Sequence, residues 1–448
     1  MMTIEQARGV AEALVERATA AGASAADAMY SGDQSISVQV RLGALEQVDR
    51  SESEEVGLRL FLGTRSATVA SSDFSSASLD TLVERALAMA GQAPEDEYAG
   101  LAPAELLERG QPPFLDAFDP NEPDPAALKA RALSAENAAR AVPGVTNSSG
   151  ASGGASGSIL ALATSHGFSG AYASTGHSGS AGVIAGEGST MQRDHAWHSA
   201  RHLADLDDAE AIGRLAGERA VARLNPARPK PGRTAVLFDP RVSSSLLGHL
   251  CGAISGSSIA RKASFLEGRL GSRLFGSGVT IVDDPLRLRG LRSRAFDGEG
   301  VRVARRELVA GGVLTSWLAE SASARQLGIQ PTGHAARGVG GAPGAAPSNL
   351  FMAAGSRSRE QLLATFPEAI LITELIGQGV NGVTGDYSRG AAGFMVRGGE
   401  VAEPVAEITI ASNLIEIFAT LEPASDLELR RGMDAPTLLV PEMTVAAA

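Results

Sequence analysis

The amino-acid sequence predicts an α+β protein with an N-terminal domain of largely antiparallel sheet and flanking helices, followed by a mainly β domain with a buried helix near its start. Stretches with apolar residues at helical spacing alternate with stretches in which every second residue is apolar. Short connections between neighbouring strands favour hairpins and therefore antiparallel pairing. The 52 glycines and 4% aromatic residues among 448 positions indicate many turns and thin, alanine-rich helices.

The N-terminal half is predicted to begin with an amphipathic helix. Ile4, Val10 and Leu14 follow helical spacing, and Gly22 is a usual helix terminator. The pattern then changes to alternating apolar residues with turns near Gly43 and Gly63, so two consecutive hairpins are expected. The remaining expected elements are a helix at 75–91, an extended connection at 92–125 with one helical turn, a helix at 125–141, small-residue strands on either side of His166–Gly167, and a helix at 207–224.

A proline-rich segment divides the chain. NPARPKPG, at residues 225–232, holds three prolines in eight residues, which is typical of a linker. We therefore predict an N-terminal α/β domain at 1–228 and a C-terminal mainly β domain at 229–448. The second domain is expected to consist mostly of strands and turns from Val279 onward, after a strand TAVLF and a buried helix that carries Leu246, Leu247, Leu250 and Ile254.

Composition excludes several classes of function. Because 39 Lys and Arg residues stand against 51 Asp and Glu residues, the net charge is −12, which disfavours nucleic-acid and membrane-surface binding. The single cysteine, Cys251, excludes a disulfide framework within the chain and a Cys-rich metal cluster. Its place in an apolar helix predicts a small core residue. With no apolar run of membrane-spanning length, the expected location is cytoplasmic.

Three histidines form the pattern that most resembles a metal-binding motif. On a helix, the spacing of His195, His198 and His202 would place three imidazoles on one face as zinc ligands. The surrounding sequence instead predicts a strand, in which positions three or seven apart point to opposite faces. Surface or cross-strand histidines are therefore the favoured interpretation and zinc is the alternative. The other histidines are interpreted as solvated or hydrogen-bonded side chains: His166, His177, His249 and His334.

Two glycine motifs resemble catalytic or nucleotide-binding signatures. Residues 150–154 match G-x-S-x-G, but a Gly/Ser tract follows where a nucleophile elbow needs a helix, so a turn is expected. Residues 377–382 match G-x-G-x-x-G after a predicted strand. A dinucleotide site would require a helix next, and Gly385 and Gly390 break it. We interpret this second motif as a specialised loop between strands.

Six stretches in a consistent order carry a family resemblance that covers nearly the whole chain. Among them are LFDPRVSSSLLGHLCGAISGSSIARKASFLEGRLG, GGVLTSWLAESASARQLG and LITELIGQGVNGVTGDYSRGAAGFMV. They resemble the TldD/PmbA family of metalloprotease subunits, once described as modulators of DNA gyrase, and in particular its PmbA (TldE) branch. Dispersed matches of this length are far more specific than the short motifs above.

The resemblance implies that this chain lacks a catalytic zinc site. In the TldD branch, H-E-x-x-x-H supplies two zinc ligands and a general base, and a later cysteine resembles a third ligand. The corresponding positions here are Gly248, His249 and Ala253, and no cysteine follows Cys251. The resemblance therefore implies no catalytic residue and no metal in this chain, with zinc expected in the partner subunit.

A partner and a substrate are also implied by the resemblance. The expected assembly is a heterodimer with a TldD-type zinc peptidase subunit, whose chamber holds an unfolded peptide in extended form while it is cleaved. No nucleic-acid or membrane partner is expected. The candidates for a chamber or interface role lie in the predicted loop from Gly377 to Gly390 and are Gly379, Asn381, Gly382, Asp386, Arg389 and Gly390.

Two alternative functions stay open at this point. A homodimeric protein could bind peptides without cleaving them, in which case adding a TldD-type chain would produce no activity. An independent metal-dependent hydrolase could use the three spaced histidines, in which case the isolated chain would contain zinc and His198→Ala would abolish activity. Whether this chain is itself an enzyme is left undecided by the sequence.

Overall fold

The computed structural model describes residues 1–447 and confirms the α+β class. The prediction of a largely antiparallel sheet with flanking helices in the N-terminal half is confirmed, as is the extended connection with a single helical turn at Ala104–Leu106. The elements of this half are α1 (Ile4–Ala20), β1 (Ala25–Arg41), β2 (Ala44–Leu62), β3 (Arg65–Ser71), α2 (Ser76–Gln92), α3 (Pro125–Arg140), β4 (Val145–Thr164), β5 (Ser169–Ala185), β6 (Gln192–Ala200) and α4 (Ala209–Ala222).

The first sheet is antiparallel throughout residues 25–200, with the strand order β3-β2-β1-β4-β5-β6. The two predicted hairpins are confirmed, and Gly43 and Gly63 both take positive φ values in their turns. Strand β1 begins ten residues before the alternating pattern does. Residues 26–30 are all buried, so both faces of the strand are covered and the period of two disappears.

The helices cover one face of this sheet. Ala26 and Ala28 of β1 pack with α1 and α2, whereas Val40, at the other end of the same strand, packs with α3 and α4. Alternate residues of a strand point to opposite faces, so Asp27 and Met29 face the other way. There they meet residues of the C-terminal half.

The turn predicted for residues 150–154 is wrong, because these residues lie inside β4. The small side chains serve close packing. A Cβ at Gly153 would stand 2.8 Å from the carbonyl oxygen of Leu128, so the glycine lets the backbone of α3 approach the strand. The oxygens of Ser152 and Ser180 are hydrogen-bonded across the β4–β5 pair at 2.8 Å. The motif is therefore part of a sheet and not a nucleophile elbow.

The C-terminal half is mostly β, as predicted, and curls into a barrel-like sheet. The helices are α5 (Pro240–Ala253), α6 (Gly256–Ala260), α7 (Ser321–Leu327), α8 (Arg359–Leu363) and α9 (Leu414–Thr420). The strands are β7 (Gly232–Phe238), β8 (Ile281–Asp283), β9 (Arg306–Ala310), β10 (Val313–Leu314), β11 (Ala335–Ala336), β12 (Gly344–Ala345), β13 (Leu350–Met352), β14 (Glu368–Ile376), β15 (Asp386–Arg397), β16 (Glu400–Asn413), β17 (Glu422–Pro423), β18 (Met433–Asp434) and β19 (Leu438–Ala447). The main sheet has the order β16-β15-β14-β7-β19-β17, and an additional β16–β19 pairing closes it. A second sheet has the order β10-β9-β8-β13-β18.

Helix α5 is the buried helix that the sequence predicts near the start of this half. It begins with Asp239 as N-cap and Pro240 in its first turn. The four apolar residues that define its predicted inner face are confirmed in the core: Leu246, Leu247, Leu250 and Ile254.

A buried ion network joins the two halves. Asp27 and Arg59 lie opposite each other on β1 and β2, with 2.9 Å between Oδ2 and Nε. Arg337 donates to Asp27 Oδ1 at 2.6 Å, and Arg59 lies 3.5 Å from Glu299 Oε1. Burial would raise the pKa of Asp27, but the charges of Arg337 and Arg59 hold it below its ordinary value of 3.8. The network therefore holds ionised Asp27 between the halves.

We expect Asp27→Asn to lower the free energy of unfolding by about 3–5 kcal/mol, because two buried guanidinium groups lose a shared carboxylate. Urea titration followed by circular dichroism measures this change. Asp80→Asn is the matched control: Asp80 pairs with Arg17 at 3.2 Å on the surface, and its loss should cost at most about 1 kcal/mol.

If both substitutions lowered the free energy of unfolding by similar amounts, the assigned role of the network would be contradicted. The wild-type contribution of Asp27 should also depend on pH in one direction. Because the folded-state pKa is the lower one, the contribution is complete above the unfolded pKa and is lost as the pH falls through the folded-state value.

Candidate functional site

Helix α5 carries the positions at which the related zinc motif would lie, and its side chains do not fit a zinc ion. Gly248 is exposed and Ala253 is buried, and neither has a donor atom. Cys251 points into the apolar core, where burial and the charge of Asp283 raise the pKa of its thiol to about 12. A zinc site needs three protein ligands, whereas His249 is the one imidazole on this helix.

His249 is partly buried, and one of its two ring nitrogens is neither solvated nor hydrogen-bonded within the described chain. Its Nε2 atom is buried and has no hydrogen-bond partner within residues 1–447. The imidazole contacts Tyr387 edge to face, with ring centroids 5.9 Å apart and an interplanar angle of 78°. Burial and the nearby charge of Arg389 lower the pKa of His249, so the neutral form is favoured.

Strand β15 supplies the other two polar groups of this site. Tyr387 and Arg389 are two positions apart and therefore share one face of the strand. Tyr387 is 1% exposed, and its Oη atom has no partner within residues 1–447. Arg389 is 8% exposed, and its hydrogen bond within the described chain runs from Nε to the carbonyl oxygen of Ile376 at 3.4 Å. Burial raises the pKa of Tyr387, which keeps its hydroxyl protonated.

The candidate segment from Gly377 to Gly390 is partly a loop and partly a strand. Residues 377–385 connect β14 to β15, which confirms a loop between strands for the G-x-G-x-x-G motif. Asp386, Arg389 and Gly390 lie in β15, so their assignment to a loop is wrong. Pairing with β16 explains the difference, because this neighbour extends the ladder to Asp386.

Hydrogen bonds within the loop account for two of the candidates. The Asn381 side-chain oxygen accepts from the backbone N–H groups of Val383 and Thr384 at 2.9 and 3.2 Å. Asp386 accepts from the Thr384 hydroxyl at 2.6 Å and from Asn413 Nδ2 at 3.2 Å. These hydrogen bonds lower the pKa of the Asp386 carboxyl. Asn381 and Asp386 thus fix the shape of the loop.

The glycines of the segment differ in what surrounds them. A Cβ at Gly379 would lie 1.9 Å from the carbonyl oxygen of Ser388, so this position has no room for a side chain. A Cβ at Gly390 would lie 3.3 Å from Cβ of Ile376, whereas one at Gly382 would meet no atom within 4 Å. Of the six predicted candidates, Arg389 is the one whose charge affects the pKa of His249 on α5.

The three spaced histidines have different surroundings. The side chain of His195 is 68% exposed on β6. His198 Nδ1 accepts from the backbone N–H of Asp207 at 3.0 Å, and His202 Nε2 lies 2.9 Å from the carbonyl oxygen of Asp116. Within residues 1–447, no group of three or more His, Cys, Asp or Glu side chains is arranged to hold a metal ion.

A cavity of about 760 Å³ lies between the two halves and is rich in arginine. Asp194 neutralises part of this charge, with 3.5 Å to Arg223 and 3.2 Å to Arg241. Burial is the main cause that lowers the pKa of Arg219 to about 10. The cavity walls are therefore tied together by ion pairs that bridge α4, β6 and α5. In the part of the chain that is described, none of the helices combines the length and apolar composition needed to cross a membrane.

Sequence reasoning missed Tyr387 as a member of the site. A single tyrosine in a strand gives no functional signal, and its contact with His249 joins residues 138 positions apart. The alternation of Tyr387, Arg389 and Ala391 could have shown that the first two share a face. The packing of that face near α5 is visible only in three dimensions.

Three family models match successive parts of the chain. They are described as PmbA/TldA metallopeptidase domain 1, matching residues 26–90, the central domain, matching 118–224, and the C-terminal domain, matching 231–447. Together these matches leave only short segments uncovered and follow the order of the family.

Curated relatives and solved structures agree with these matches. The chain is 38% identical to Metalloprotease PmbA of Escherichia coli O157:H7, covering 99% of this chain and 97% of the relative. It is 34% identical to a Metalloprotease PmbA homolog of Haemophilus influenzae, covering 96% and 94%. The structure of TldE from Thermococcus kodakarensis has a TM-score of 0.85 at 20% identity and covers 98% of this chain and 100% of that one, which shows the same fold.

We expect Cys251 of the native protein to resist iodoacetamide near neutral pH, because the thiolate is the reactive form and the pKa is about 12. Mass spectrometry of the intact chain reports the modification, and Cys251 is the single cysteine. The same reagent in urea should modify the thiol completely. Rapid modification of the native chain would show that α5 exposes this side chain and that it is not a core residue.

Proposed function

Because the chain belongs to the PmbA/TldD metallopeptidase family, we propose that it is the non-metal-binding, PmbA/TldE-type subunit of a heterodimeric zinc peptidase that cleaves unfolded peptides. The observation that carries this proposal is the donor set of α5. Two of the three motif positions, Gly248 and Ala253, lack donor atoms, and burial and the charge of Arg389 lower the pKa of the third, His249. A zinc ion bound there would have one protein ligand from this helix.

In this proposal the catalytic zinc belongs to the partner subunit, and the present chain binds and orients the peptide. Ile376, at the end of β14, and Val383, within the loop between β14 and β15, both have exposed side chains. Sheet edges can add main-chain hydrogen bonds to an extended peptide, which suits unfolded substrates.

The proposal predicts near-zero zinc in the isolated chain and no peptidase activity. Elemental analysis of the chain, purified without a histidine tag, measures the first, and cleavage of an unfolded peptide measures the second. Adding a TldD-type chain that carries H-E-x-x-x-H should produce activity and bring zinc into the complex. The His198→Ala variant is the control for the spaced histidines and should behave as the wild type in both assays.

Each alternative gives a different pattern. About one tightly bound zinc per isolated chain, lost in His198→Ala, would favour an independent hydrolase and contradict the proposal. Peptide binding without cleavage, even after a zinc-loaded partner has been added, would favour a passive homodimeric binding protein. Sedimentation of the mixture distinguishes failed assembly from an assembled but inactive complex.

A further inference from the structure

Two polar atoms near α5 lack the partners that buried polar groups normally have, and an arginine without an ion pair lies on the same strand face as one of them. The Nε2 atom of His249 and the Oη atom of Tyr387 are buried without a hydrogen bond within residues 1–447. Arg389, on the same strand face as Tyr387, is 8% exposed and makes no ion pair within the described chain. The great majority of buried polar side-chain atoms have a partner, so two unpartnered atoms in side chains that contact each other point to a ligand.

The charge of this cluster selects the kind of ligand. Arg389 is a permanent cation that shares a strand face with Tyr387, whose ring contacts His249, and its charge acts on the pKa values of both residues. No carboxylate is among the groups that shift the pKa of His249. A metal cation would be repelled here, whereas an anion would receive N–H donors from Arg389 and an O–H donor from Tyr387.

We propose that His249, Tyr387 and Arg389 form a binding site for a carboxylate group of the bound peptide, an inference that rests on the proposed peptide-handling function. Arg389 presents paired N–H donors that match a planar carboxylate. The Tyr387 hydroxyl donates a further hydrogen bond, and His249 donates from Nε2 when its proton is on that nitrogen. The three residues are thus positioning groups for the peptide and take no part in bond cleavage.

The surroundings leave room for a peptide to reach the cluster. Gly248 and Gly252 lie one turn apart on α5 and are both exposed. A Cβ at Gly248 would meet only Met433 Sδ, at 4.0 Å, and one at Gly252 would meet no atom within 4 Å. The absence of side chains on this part of α5 therefore opens the helix surface next to His249.

A peptide offers a carboxylate either at its C-terminus or on an Asp or Glu side chain, and three labelled peptides distinguish these sources. Each is a short Ser/Gly/Val sequence with a fluorophore at its N-terminus. The first has a free C-terminal carboxylate, the second a C-terminal amide, and the third a C-terminal amide with one internal Glu. Fluorescence anisotropy with the full-length isolated chain measures their affinities.

We expect at least one carboxylate-bearing peptide to bind about 10- to 100-fold more tightly than the neutral amide, as hydrogen bonds to a charged group imply. Binding of the first peptide alone identifies the C-terminus as the recognised group. Binding of the third shows that an acidic side chain is accepted. Equal affinities for all three peptides, or no binding of any of them, would overturn the proposal.

Variants connect the preference to the three residues. Arg389→Gln should remove the preference for the carboxylate, and Tyr387→Phe, which keeps the ring and its packing, should weaken it about 2- to 10-fold. Arg397→Gln is the matched control on the same strand, because Arg397 is half exposed and pairs with Glu403 at the surface. If Arg389→Gln does not fold, Tyr387→Phe decides: an unchanged preference in that variant would overturn the proposal.

This experiment can fail independently of the proposed function. Peptide affinity of the isolated chain requires neither zinc nor a catalytic partner, whereas the proposed subunit role is tested by activity of the reconstituted complex. An active complex whose isolated subunit shows no carboxylate preference would retain the function and reject the site. A clear preference without activity in any complex would retain the site and reject the subunit role.

Discussion

The buried ion network of Asp27, Arg59, Arg337 and Glu299 is the interaction on which the placement of the two halves depends. A buried ion pair must keep all of its members, because removing one leaves an uncompensated charge away from water. Asp27 and Arg59 are fixed by neighbouring strands of the first sheet, and the other two belong to the C-terminal half. Any sliding of one half against the other would separate these charges, so the network determines one relative position.

Close backbone packing also holds the two halves together, at a point on β2 two residues from Arg59. A Cβ at Gly57 would lie 1.7 Å from the carbonyl oxygen of Val339, so β2 admits the segment that follows Arg337 only because it has a glycine at this point. The ion network specifies how the two halves are placed, and the glycine lets their backbones approach closely enough for these ion pairs to form. The C-terminal barrel and α5 are therefore held against the first sheet by contacts on the sheet face that the helices leave free.

Much of the fold could be predicted from the sequence because local patterns determine it. Neighbouring residues determine the helical spacing of α1, the turns at Gly43 and Gly63, and the apolar face of α5. The prediction failed where tertiary packing replaces the local signal, as in the small-residue stretch of β4, where glycines admit a helix backbone and do not form a turn. The candidate site was predicted in part: Arg389 was named as a chamber or interface candidate, whereas His249 was interpreted only as a degenerate zinc-motif position. Tyr387 and the contact between α5 and β15 depend on residues far apart in the chain.

The chemistry of α5 follows from the charge beside it. A zinc ligand must share its nitrogen lone pair with a cation, and a permanently charged guanidinium near that nitrogen makes a second cation unfavourable. The charge of Arg389, which lowers the pKa of His249, therefore acts against zinc at this imidazole in addition to the missing donor atoms at Gly248 and Ala253. The same guanidinium makes an anion favourable. The site that we propose on α5 and β15 is therefore suited to an anion, which fits a subunit that would hold a peptide while the metal belongs to its partner.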